Sequence, residues 1–123
     1  MHDLEGKIEQ RAVDLIWKHL GIEGSKLNIR SDTGYPDRIF WIPGGRPLLI
    51  EFKRPGEEPE PKQIHIHNKL RQLGYNVEVH DDALEAFKSV VDHVRRSTLT
   101  KSQKKVVERA LSIYYTHTLR KRK

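Results

Sequence analysis

GYPDRIFWIPGGRPLLIEFK, residues 34–53, holds a hairpin whose second strand ends on charged residues. Arg38 to Ile42 reads as one strand, Pro43-Gly44-Gly45-Arg46-Pro47 as the turn, and Leu48 to Lys53 as the second strand. Side chains alternate along a strand, so Leu49, Glu51 and Lys53 share one face while Leu48, Ile50 and Phe52 share the other. A strand that is apolar on both faces up to Glu51 is central and buried. A carboxylate and an ammonium there are costly unless they are paired or bind an ion. Pairing Ile42 with Leu48 would set Asp37 opposite Lys53, and a two-residue slip would set it opposite Glu51. Either register turns Asp37 to the face of Glu51 and Lys53, whereas a one-residue slip would turn it away. The hairpin can thus build two carboxylates beside a cation at one sheet edge, the set that metal-dependent phosphodiester hydrolysis needs.

On the N-terminal side, Asp3 can cap a helix from about Leu4 to Leu20 that Gly21 ends, with Ala12, Val13, Ile16, Trp17 and Leu20 as its apolar stripe. A strand near Lys26 to Arg30 and a turn through Ser31-Asp32-Thr33-Gly34 lead into the hairpin. On the C-terminal side, Arg54 to Pro61 is a polar loop, and Pro61 suits the first turn of a helix that Gly74 stops. Tyr75 to His80 alternates like a half-buried strand, and Asp81 or Asp82 caps a helix reaching about Arg96. Thr100 and Gln103 form a capping box for a last helix, striped by Val107, Ala110, Leu111 and Tyr114. The predicted order is αβββαβαα, an α/β pattern. Two polar residues interrupt apolar helix stripes and can face the sheet: Glu9, one turn before Val13, and Gln63, in line with Ile66, Leu70 and Leu73.

With 123 residues the chain is expected to form one domain, a core over 1–96 and a basic helical extension over 97–123. No apolar run approaches the ~18 residues of a membrane span, and Met1-His2-Asp3-Leu4-Glu5 lacks the features of a signal peptide. The absence of cysteine excludes disulfides and thiolate zinc sites and suits a cytoplasmic setting. Charge is uneven: residues 95–123 carry ten Lys/Arg against Glu108 alone, net +9, which leaves −3 on residues 1–94. A basic tail on an acidic body either solubilises the chain or meets a polyanion, and the carboxylate site beside it favours nucleic acid.

Taken singly, Glu51-x-Lys53, Asp37, Glu9 and Gln63 are ordinary. Pro36-Asp37, thirteen intervening residues and then Glu51-Phe52-Lys53, inside a helix-first α/β order, is much more specific. On those residues, with Ile8-Glu9, Ser31, Gly34-Tyr35-Pro36-Asp37-Arg38, Glu51-Phe52-Lys53-Arg54-Pro55-Gly56, Gln63 and Leu70-Arg71-Gln72-Leu73-Gly74-Tyr75, the chain resembles the PD-(D/E)XK nuclease superfamily. Within it the likeness is to the short, stand-alone VRR-NUC form typical of bacteriophages, over about Glu9 to Val79. The resemblance implies a restriction-endonuclease-like α/β core, a mixed sheet flanked by helices, and a metal-dependent DNA endonuclease that acts on branched DNA such as four-way junctions. It also implies a host-cell cytoplasmic setting if the chain is phage-encoded. In that frame Asp37, Glu51 and the Phe52 carbonyl would ligate Mg²⁺ or Mn²⁺, an oxygen-only set that suits a hard cation. Lys53 would hold or help deprotonate the attacking water and offset charge on the phosphate. Glu9 would act in the outer shell or on a second metal, and Gln63 would orient Lys53 or the water.

Arg38, Arg54, Lys101, Lys104, Lys105 and Arg109 are the candidate nucleic-acid contacts. Because symmetric cutting of two strands takes two sites, a two-fold homodimer is expected. Its interface would be the 107/110/111/114 stripe, unless that stripe folds back on the body. The competing readings are a sequence-specific restriction-type nuclease and a nucleic-acid-binding module without catalysis. His65 and His67 read as surface or substrate-edge residues, His80-Asp81-Asp82 as a strand end and helix cap, Trp17 as core, and Trp41 as cross-strand packing.

Overall fold

The computed structural model describes residues 4–29, 34–97 and 99–121. Helix α1 (Leu4–Leu20) is followed by strands β1 (Gly24–Lys26), β2 (Arg38–Phe40) and β3 (Leu48–Phe52). Helix α2 (Pro61–Gln72), strand β4 (Asn76–His80) and helices α3 (Ala83–Arg95) and α4 (Lys101–Lys121) complete the chain. The order is the predicted αβββαβαα. The expected Asp3 cap, the Arg30 end of the first expected strand and Ser31-Asp32-Thr33 lie outside the described residues.

The sheet order is β1-β2-β3-β4, antiparallel across the first two junctions and parallel between β3 and β4. A parallel pair cannot be closed by a tight turn, and α2 makes the crossover. β3 is buried along its whole length between two neighbours, as its continuous apolar run predicts. Arg38 pairs with Ile50 and Phe40 with Leu48. This is the second of the two registers the sequence allows: one step beyond the last paired position, Asp37 falls opposite Glu51. β1 starts two residues earlier than predicted and ends at Lys26, so residues 27–29 of the expected strand are not part of the sheet. Gly24 pairs with Phe40, and a Cβ at residue 24 would meet the Phe40 ring at 2.4 Å, so only glycine lets the strands approach here.

One face of the sheet supplies Phe40, Leu48, Ile50 and Phe52 to the core, where they meet Ala12 and Ile16 of α1 and Phe87, Val90 and Val91 of α3. Each such large side chain contributes about 1.5–3 kcal/mol on burial. Helix α4 closes the same core with Val107, Ala110 and Tyr114. Its start is the predicted capping box: the Gln103 N–H donates to Thr100 Oγ1 and the Thr100 N–H to Gln103 Oε1. The Tyr114 hydroxyl donates to Glu85 Oε1 of α3 at 2.5 Å. The stripe is therefore spent on the body of the molecule, which corrects the alternative that it forms an interface between copies. Trp17 also differs from expectation: it is 62% exposed, because Ala12 and Ile16 turn α1 so that residue 17 lies on its flank.

If α4 belongs to the core, Ala110→Asp, at a fully buried position, will lower stability by about 3 kcal/mol or more. Leu119→Asp, at an exposed position on the same helix, will be near neutral. Urea denaturation of the two variants beside the parent checks this.

Candidate active site

Three segments bring carboxylates together at the end of β3. Pro36 is fully buried and anchors the approach to β2. Gly34, at φ +98°, passes so close to α2 that a Cβ would stand 3.1 Å from the Lys62 carbonyl and 3.2 Å from Ile66. The next side chain in line is Asp37, whose Oδ2 accepts from the Phe52 amide at 2.8 Å. Glu51 is 2% exposed and Lys53 6%. Ligand atoms of Glu5, Asp37 and Glu51 lie within 4.8 Å of one another. Such a cluster of acids with little water around it repels itself, and only a cation or protons can relieve it.

Protonation is displaced accordingly. Burial, then the nearby Asp37 charge, pushes Glu51 up to about 8, with Lys53 pulling the other way. Burial also raises Asp37, opposed by its Phe52 hydrogen bond. Glu51 Oε1 is buried without a hydrogen-bond partner, although a buried carboxylate oxygen ordinarily finds one. Its other oxygen is held: Gln63 Nε2 donates to Glu51 Oε2 at 3.0 Å. Gln63 Oε1 accepts from the Glu60 N–H at 2.8 Å, so the amide is gripped at both ends by the start of α2 and by β3. Lys53 Nζ stands 3.7 Å from Glu51 Oε2 and 3.8 Å from the exposed Glu57. Acidic oxygens, one of them unpartnered, form a donor set that fits a hard divalent cation.

Asp37, Glu51, Lys53 and Gln63 are thus brought together, whereas Glu9 is placed one step away. It accepts from Arg38 Nε at 2.6 Å, while Arg38 Nη1 donates to the Gly24 carbonyl. The third carboxylate of the cluster is Glu5, one helical turn earlier on the same face of α1. The i, i+4 spacing of Glu5 and Glu9 was the available signal, since both lie on one side of the helix. Arg54 is exposed in the following loop, and Lys101, Lys104, Lys105 and Arg109 are exposed on α4.

The histidines divide differently from expectation. His65 is exposed, but His67 is 1% exposed with Nε2 unpartnered, because it follows Gln63 by one turn and inherits that inward face. With Lys53, Arg71 and His80 it lines a cleft of about 460 Å³ beside the site. Burial, then the Arg71 charge, lowers its pKa. His80 lies 2.7 Å from Glu78, and Asp82 accepts from the Glu85 N–H as the cap of α3. Trp41 is 53% exposed and donates from Nε1 to Ser25 Oγ on β1.

Comparison with known proteins agrees with this geometry. A solved VRR_NUC domain superposes with a TM-score of 0.62 at 26% identity, over 79% of this chain and all of that one. The chain is 38% identical over 77 residues to "Putative nuclease p44" of Acyrthosiphon pisum secondary endosymbiont phage 1, covering 63% of this chain and 82% of that protein. The chain belongs to the VRR-NUC nuclease family. No family model matches it. Among the described residues no helix is long and apolar enough to cross a membrane. As in the VRR_NUC domain, the fold is a mixed four-stranded sheet with flanking helices.

The raised Glu51 has a consequence for stability. A carboxyl whose folded pKa is about 8 and whose ordinary value is 4.5 binds its proton more tightly when folded. In chelator, stability therefore declines as pH rises from 4.5 to about 8. Glu51→Gln removes that decline. The difference in unfolding free energy between Glu51→Gln and the parent will open across this range, to the order of a few kcal/mol. Parallel pH curves for the two proteins would refute the raised pKa.

Proposed function

We propose that this VRR-NUC protein is an endodeoxyribonuclease that hydrolyses phosphodiester bonds with Mg²⁺ or Mn²⁺ and prefers branched DNA such as a four-way junction. The observation that carries the metal dependence is the unpartnered, buried Glu51 Oε1 within the Glu5–Asp37–Glu51 cluster. Asp37, Glu51 and Glu5 would hold the ion, with the Phe52 carbonyl as a further oxygen. When bound, it would polarise the scissile phosphate and lower the pKa of the attacking water. Glu9 stands behind this set, paired with Arg38 and acting on Asp37 by its charge.

The chain's own groups do the rest. Lys53 offers a positive charge at the site, where low exposure makes it more effective against charge developing on the phosphate than it would be in water. Gln63 keeps Glu51 in one orientation and leaves its Oε1 free to take a ligand. Asp37 is held at the same edge by the Phe52 amide. Arg38, Arg54 and the exposed cations of α4 supply attraction to the polyanion, which carries no sequence information by itself. The preference for branched DNA follows from the resemblance to short phage-type members. Because each chain has one site and a junction needs two symmetric cuts, the active species is a two-fold homodimer.

Cleavage of a labelled four-way junction beside linear duplex and single strand, with Mg²⁺ or Mn²⁺, tests the proposal. The expected outcome is paired symmetric cuts on the junction, reduced by roughly 100-fold or more in Glu51→Ala and Lys53→Ala while binding persists. Uniform cutting of all three substrates would leave a general nuclease, and binding without cutting would leave a binding module. Divalent metal will raise the Tm of the parent but not of Asp37→Ala. Sedimentation at micromolar concentration will report a dimer; a monomer there would overturn the symmetric arrangement.

A further inference from the structure

A groove of about 700 Å³ runs between α1 and the β1–β2 edge, on a part of the molecule that the linear charge pattern assigns to the acidic body. Five cations line it, Lys7, Arg11 and Lys18 from α1 with Lys26 and Arg38 from the sheet, against two carboxylates, Glu9 and Asp14. Glu9 is already committed to Arg38, and Asp14 accepts from Gln10. Lys7, Arg11, Asp14 and Lys18 recur at spacings of four, three and four, which places them on one face of the helix. Lys7, Arg11, Lys18 and Lys26 are exposed, and none of them forms an ion pair among the described residues.

Helix stability accounts for Lys18, which lies in the last turn of α1, but not for Lys7 and Arg11. Lys7 and Arg11 are like charges one turn apart, which disfavours a helix. Lys7 also sits in the first turn of α1, where the helix dipole disfavours a cation. Convergence of cations from two elements on one groove instead calls for an external anion. The groove adjoins the carboxylate cluster: Glu9 and Lys26, both in its lining, act electrostatically on Asp37. From Lys7 to Lys18 the stripe extends about 16 Å, the length of roughly five base-pair steps.

We propose that this groove is the track for the sugar–phosphate backbone flanking the scissile phosphate, with Lys7, Arg11 and Lys18 as phosphate contacts and Lys26 between the track and the acidic cluster. This rests on the nuclease reading above and adds the path of the substrate. Helix α1 then carries both parts of the function, a carboxylate at Glu5 and phosphate contacts from about half a turn to about three and a half turns further on. The exposed cations of α4 are a separate surface.

The test compares the parent with Lys7→Gln/Arg11→Gln/Lys18→Gln, and with Lys101→Gln/Lys104→Gln/Lys105→Gln as a charge-matched control on α4. Binding to a labelled duplex and to a four-way junction is measured in Ca²⁺ against salt, and cleavage is measured in Mn²⁺ on the junction and on a dinucleotide too short to enter the groove. Neutralising three phosphate contacts will lower the slope of log K against log salt by about 2.7. It will weaken long-substrate binding by about tenfold or more, leave dinucleotide cleavage unchanged, and exceed the effect of the α4 control. Unchanged affinity and slope would overturn the track. So would a parallel loss of dinucleotide cleavage, which would mean a damaged site. If the parent cuts nothing but the α1 variant still loses affinity and slope, the track stands and the nuclease reading falls.

Discussion

A carboxylate buried at the end of a fully buried central strand is the constraint around which this fold is arranged. Glu51 sits where β3 has neighbours on both sides and apolar residues above and below, and an isolated ionised group there would be strongly disfavoured. The structure does not relieve the charge by pairing it closely. Lys53 stands at 3.7 Å, and two further carboxylates are gathered within 4.8 Å of Glu51. A protein selected for stability alone would place an apolar residue at position 51, since a buried ion pair seldom outperforms well-packed side chains. The arrangement is one in which stability is given up for a gathering of carboxylates at one sheet edge.

The elements around Glu51 serve to hold it still. The short approach of Gly34 to α2 and the burial of Pro36 fix the segment that carries Asp37. The capping interaction at the start of α2 uses the same Gln63 amide that grips Glu51, so the position of a helix end and the orientation of a carboxylate are one interaction. On the opposite sheet face, Phe40, Leu48, Ile50 and Phe52 are clamped by α1, α3 and α4. That packing makes β3 rigid, and α4 is part of it: the basic C-terminal segment docks through Val107, Ala110 and Tyr114 and presents its cations outward.

The hairpin, the helix order, the cap of α3 by Asp82 and the Thr100–Gln103 capping box were legible because each depends on neighbours in sequence. Which partner Glu9 would find was not. Glu5 and Glu9 share a helix face, and only the placement of α1 across the sheet sends Glu9 to Arg38 and Glu5 to the acidic cluster. His67 belongs to the same class: the Gln63 stripe continues through it, but that α2 presses this face inward is set by the crossover. Trp17 went the other way, from an apparent core position to the surface, since a stripe wide enough for five residues is wider than the contact α1 makes.

The sequence alone determined that a hairpin would bring Asp37 to the same face as Glu51 and Lys53, because strand alternation and a buried central strand leave only even registers. It did not choose between those registers, which differ by two residues and bury the same side chains; the close approach of Gly24 to Phe40 and the packing around β3 go with the pairing of Arg38 with Ile50. Charge was legible only as a sum along the chain, which pointed to the C-terminal tail. The gathering of Lys7, Arg11 and Lys18 with Lys26 and Arg38 in one groove was decided by tertiary structure, because electrostatic fields add over distance in space and take no account of separation along the chain.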